Sequence, residues 1–70
     1  MWHVYIIKSV LKRWYYVGST NRLRERIQEH NRGKSKATKP YAPFNIIYLQ
    51  KFAEETKARA FEQKLKKSRI

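Results

Sequence analysis

The sequence predicts a mixed α/β (α+β) fold: a three-stranded antiparallel sheet flanked by helices, in the order strand, strand, helix, strand, helix. Three observations lead there. Two aromatic and β-branched runs lie either side of a short basic link near the N-terminus, a third such run follows a proline-containing loop, and two segments carry apolar residues at helical spacing. Seventy residues suffice for one small domain, taken as residues 1–70, which buries only about 60% of the surface that its unfolded chain exposes.

Residues 2–8, WHVYIIK, suit a pleated surface and read as the first strand. Residues 13–18, RWYYVG, repeat that character, so the two pair most simply as an antiparallel hairpin whose second strand ends at Gly18. Ser19, Thr20 and Asn21 are all good helix caps, and NRLRERIQEHNRG then reads as a helix stopping near Asn31 and Gly33. GKSKATKPYAPF has two prolines and no periodicity, which makes it a loop of functional length. Residues 45–52, NIIYLQKF, form the third strand. Residues 53–67, AEETKARAFEQKLKK, form the second helix, with acids in its first turn and lysines in its last.

Charge narrows the function. Seventeen Lys and Arg stand against five acids, all glutamate, for a net charge of +12. A polyanion is the natural partner, because cations that neutralise phosphates release condensed counterions. Nucleic acid leads, and an anionic membrane surface is the weaker alternative. The apolar runs are too short for a spanning helix and the chain opens strand-like rather than with a signal core, so a soluble cytoplasmic protein is expected. Without cysteine, disulfides, thiolate catalysis and cysteine zinc sites are excluded.

Both helices carry ionisable groups on their apolar stripes. In the second, Ala58, Phe61 and Leu65 keep the spacing and Glu62 interrupts it. In the first, Leu23 and Ile27 share their face with Arg26 and His30. Each has a plain reading: Arg26 as a snorkelling helix arginine, His30 as a lone helical histidine that falls on the stripe by chance, Glu62 as one half of an ordinary salt bridge. Tyr5, Tyr15 and Tyr16 read first as sheet packing, with Tyr15 and Tyr16 on opposite faces. Jointly, a tyrosine or two, an arginine, a histidine and one carboxylate suit phosphodiester cleavage. Arginine binds phosphate bidentately, and magnesium needs few carboxylates when substrate oxygens and waters complete its shell. So few acids argue against a two-metal carboxylate cluster.

Val4-Tyr5-Ile6 followed by Tyr16-Val17-Gly18 resembles the paired tripeptides of the GIY-YIG endonuclease superfamily. Eleven residues separate Tyr5 from Tyr16, ten separate Tyr16 from Arg26, four separate Arg26 from His30, and Glu62 appears late in an A-x-x-x-E-x-x-L-K context. The ordered set covers nearly the whole chain and is most similar to small stand-alone bacterial members. Val4 departs from the small residue usual in the first tripeptide.

The resemblance implies a metal-dependent DNA endonuclease, structure-selective or weakly sequence-specific, with DNA repair or recombination as its setting. It implies Glu62 as the ligand of Mg²⁺ or Mn²⁺, Arg26 as the phosphate contact, Tyr5 as the group that activates the attacking water, Tyr16 as the second motif tyrosine and His30 as an aid to proton transfer. Lys34, Lys36 and Lys39 of the loop and Lys64, Lys66, Lys67 and Arg69 of the tail are expected to contact the nucleic-acid backbone, which carries no sequence information directly. The chain stops soon after the second helix, where many members of that superfamily continue, so the resemblance leaves specificity open, with a targeting partner protein as one source of it. Two other readings stay open: a non-catalytic nucleic-acid-binding module with the same fold, and a small basic RNA- or ribosome-associated protein.

Overall fold

The computed structural model describes residues 1–68, which form β1 (Trp2–Ser9), β2 (Tyr15–Thr20), α1 (Leu23–Asn31), a short 3₁₀ turn (Lys39–Tyr41), β3 (Phe44–Phe52) and α2 (Glu55–Lys67). The three strands make one antiparallel sheet in the order β2-β1-β3, so the most apolar strand is central and both its neighbours are edges. This is the predicted architecture and element order.

Alternation along β1 divides the core between two faces. Val4 and Ile6 point to one side, where they meet Val17 of β2 and Ala58 of α2, with Phe61 and Leu65 packed around them. Tyr5 and Ile7 point to the other, against Phe44, Trp14 and Tyr16, with Leu23 and Ile27 of α1 closing over them. Each helix thus covers its own face of the sheet. β3 is mostly exposed along its length, including Ile46, Ile47, Tyr48 and Leu49.

The elements shift by up to two residues from the sequence reading and a 3₁₀ turn lies within the segment read as loop, but the junction between β2 and α1 is the difference that bears on the site. β2 does not end at Gly18: it runs on to Thr20, with Gly18 opposite Tyr5, Ser19 opposite Val4 and Thr20 opposite His3. Ser19 and Thr20 are therefore strand residues and not helix caps. Local cap propensity loses here to pairing with a buried central strand. Arg22 takes the N-cap position of α1 without any side-chain cap bond, while the Thr20 hydroxyl accepts the Arg22 amide at 3.0 Å and turns the chain. The end of α1 is as read. Gly33 sits at φ +73°, its amide donates to the His30 carbonyl, and the Lys34 amide donates to that of Glu29. That pair of bonds is the Schellman stop that favours glycine.

Candidate active site

Tyr5 is the most buried of the candidate residues after His30, and the sheet leaves room for it only because its cross-strand partner is glycine. A Cβ at position 18 would lie 2.5 Å from the Tyr5 hydroxyl oxygen. The hydroxyl meets His30 Nε2 at 3.0 Å, and the other ring nitrogen, Nδ1, meets the Thr38 hydroxyl at 2.8 Å. All three side chains are sealed from solvent. Burial pushes the Tyr5 hydroxyl up to about 12, with Tyr16 adding to the rise and Arg26 opposing it. It pushes the His30 imidazole down to about 4, helped by the charge of Arg26 and opposed by Glu29. At neutral pH the imidazole is uncharged, so one nitrogen donates a hydrogen bond and the other accepts one.

Tyr16 lies beside this pair, its ring centroid 5.2 Å from that of His30 and 6.4 Å from that of Tyr5. Arg26 projects one turn before His30 from the same face of α1. Burial lowers its affinity for its proton, but the Glu29 carboxylate and the neighbouring Tyr5 outweigh that, and the guanidinium stays charged. It donates to Glu29 Oε1 at 2.8 Å, in a partly exposed pair that a phosphate can displace.

Glu62 approaches from the opposite side of the sheet. Its stripe partners put it on the α2 face, where Ser19 Oγ donates to Oε1 at 2.5 Å and Lys66 Nζ stands 2.7 Å from Oε2. Burial favours the neutral acid, but Lys66 and Ser19 together prevail and hold the carboxyl below its ordinary range. Its charge reaches around edge strand β2 and contributes to the rise of the Tyr5 hydroxyl. The stripe therefore brings Tyr5, Tyr16, Arg26 and His30 to one face and Glu62 to the other, with Gly18 and Ser19 between them. Among the described residues no three His or Glu side chains cluster, so a cation here would need substrate oxygens or waters to complete its shell. Glu62 fits the role of its protein ligand: it is ionised, its oxygens are hard donors, and Oε2 is held only by a half-exposed lysine chain that can swing away.

Of the expected backbone contacts, Lys34, Lys36 and Lys39 are exposed on the loop after α1, and Lys64, Lys66 and Lys67 are exposed on α2. Arg69 lies outside the described residues. Three contributors escaped the sequence reading. Thr38 is fully buried against His30, Ser19 holds Glu62, and Asn31 Oδ1 accepts the Phe44 amide at 2.6 Å, which ties the loop's end back to α1. Only the polar cluster S-T-N and the unusual length of the loop pointed toward them.

Comparison with protein-family models matches residues 1–69 to the GIY-YIG catalytic domain. Among curated proteins, a UPF0213 protein of Oceanobacillus iheyensis is 35% identical over 65 residues, covering 91% of this chain and 74% of that protein. A UPF0213 protein of Streptococcus pneumoniae is 39% identical over 56 residues, covering 79% of this chain and 57% of its own length. The UPF0213 protein YazA of Bacillus subtilis is 36% identical over 64 residues, covering 90% of this chain and 64% of its own length. This chain thus spans between 57% and 74% of the lengths of these relatives, whose names state no activity. No solved structure matches it.

Proposed function

The chain belongs to the GIY-YIG catalytic domain family, and from that premise we propose that residues 1–70 act as one nuclease unit that hydrolyses phosphodiester bonds of DNA with the help of Mg²⁺ or Mn²⁺, selecting structure more than sequence. The observation that carries the reading is the buried bond from Tyr5 to a neutral His30, with the Arg26 guanidinium on the same face of the sheet and an ionised Glu62 across edge strand β2. A structural sheet tyrosine needs none of these neighbours.

Each residue then has a role its surroundings suit. Tyr5 holds its proton in the resting protein, because burial pushes its hydroxyl up to about 12 and the His30 imidazole down to about 4. Tyr5 becomes a base only when positive charge gathers at its oxygen, and His30 then relays the proton. Thr38 fixes the imidazole's orientation, and Gly18 leaves no side chain over the hydroxyl. Arg26 exchanges Glu29 for the phosphoryl oxygens and stabilises the charge developing on them. Glu62 would hold the metal, which when bound polarises the scissile phosphate and stabilises the leaving oxygen. Tyr16 packs against His30 and orders the face on which the strand lies. DNA repair or recombination, the cytoplasm and a targeting partner protein complete the proposal.

One observation favours a second reading, a nucleic-acid-binding module without catalysis: Glu62 and Arg26 already have internal partners in Lys66 and Glu29. Nicking of supercoiled plasmid and of a branched DNA by the purified protein separates the two. Cleavage with Mg²⁺ or Mn²⁺ that vanishes with EDTA and in a folded Glu62→Ala variant supports the nuclease. Binding without cleavage on every substrate supports the module, and cleavage surviving in Glu62→Ala removes Glu62 from the site.

A further inference from the structure

Beyond the candidate site, the surface bends into an open concavity of about 410 Å³ between the start of β2 and the last turn of α2, with Arg13, Tyr15, Tyr16, Lys66 and Ser68 among its lining residues. Its size lies within the range of sites that take one small ligand. The lining holds two cations, one from each side, and no acid. Its aromatics are not equivalent. Trp14 is stacked on Tyr41 with ring centroids 3.9 Å apart and an angle of 5°, and Tyr16 packs on His30, whereas Tyr15 is 38% exposed. An exposed ring and two cations lining one concavity are the combination that holds single-stranded nucleic acid, where bases stack and phosphates pair.

Lys66 links this concavity to the candidate site. Its ammonium lies 2.7 Å from Glu62, yet it also lines the concavity. A phosphate held by Lys66 is therefore a neighbour of Glu62. Resting on the nuclease reading above, we propose that the concavity binds one unpaired nucleotide of the substrate strand, with its base on Tyr15 and its phosphate between Arg13 and Lys66. The protein so recognises strands that are single or splayed at the cut. A base pair cannot lay one face on Tyr15 without leaving its own stack, so fully paired duplex gains nothing from the ring.

Fluorescence anisotropy in EDTA, where nothing is cleaved, tests this with a ten-residue thymidine oligonucleotide and a ten-base-pair blunt duplex. Tyr15→Ala should weaken the single strand about tenfold, equivalent to about 1.4 kcal/mol, and the duplex less than twofold. Tyr15→Phe, which keeps the ring, should restore the wild-type affinity. Arg13→Ala should weaken the single strand and lower the slope of log affinity against log salt by about 0.7. Melting at the wild-type temperature checks that each variant folds. Single-strand affinity within twofold of wild type in both Tyr15→Ala and Arg13→Ala, or equal losses on strand and duplex, would overturn the pocket. Thymidine monophosphate that displaces the oligonucleotide at stoichiometric amounts would reassign the pocket to free nucleotides. None of these outcomes touches the Glu62→Ala nicking test, so either idea can fail alone.

Discussion

A single methyl group at Gly18 would sit 2.5 Å from the Tyr5 hydroxyl oxygen and 2.6 Å from the carbon that bears it. Tyr5 cannot yield, because its ring is buried and its hydroxyl is bonded to His30. Gly18→Ala should therefore cost about 1–3 kcal/mol of stability by overpacking, read as a fall in the urea midpoint. His30 gives a second prediction, in pH. Its folded value near 4 lies below the ordinary 6.5, so between those limits the unfolded chain binds the extra proton and stability falls as pH falls. Above 6.5 the contribution is fully present. Wild type should lose about 2 kcal/mol more than His30→Gln between pH 6.5 and 5. His3, also lowered by burial, contributes to both proteins alike. An identical pH slope in the two would show that His30 is not the group responsible. At this scale Arg26, His30 and Glu62 were legible because helical spacing marks them as ionisable groups on apolar stripes. Thr38 and Ser19 were not, because the partners that give them meaning lie eight and 43 residues away.

The elements were legible wherever a residue type has one conformational use, and less so where tertiary pairing decides. Gly33 is the clear case. Its positive φ and the two Schellman bonds fix where α1 stops, and a Cβ there would meet only Lys39 Cγ at 3.4 Å, an ordinary contact. Gly33→Ala should thus cost about 1 kcal/mol, from the left-handed backbone alone, and a thermal melt reads it. The two glycines would then differ in cause as well as size: one is needed for its conformation, the other for its missing side chain. The boundary of β2 shows the opposite case. Ser19, Thr20 and Asn21 carry a strong local signal for a helix start, yet the ladder with β1 claims two of the three. That shift matters to the site, because it places Ser19 beside Glu62 instead of at the mouth of α1. The loop after α1 likewise carried no periodic signal, and it is ordered by buried contacts at Thr38 and at the Phe44 amide.

Charge belongs to the whole molecule. A net +12 on 70 residues was readable at once, but where it gathers depends on the fold. Lys34, Lys36 and Lys39 stand exposed on the same loop that buries Thr38 against His30, so the cations sit on a segment pinned to the candidate site. Exposed lysines far from any anchor would bind phosphate wherever the strand happened to lie. These three can hold it in register with Arg26. If each neutralises one phosphate of duplex DNA, replacing all three with alanine should lower the slope of log affinity against log salt by about 2.7, at about 0.9 per contact. Stability should hardly change, since no salt bridge among the described residues involves them. Replacing Lys51 and Lys57, which lie on β3 and α2, removes two charges from elsewhere and serves as the control. A smaller loss per lysine in the control than in the loop variant would place the strand along the loop. Equal losses per lysine would mean that the protein attracts nucleic acid through its total charge and that the loop does not guide it.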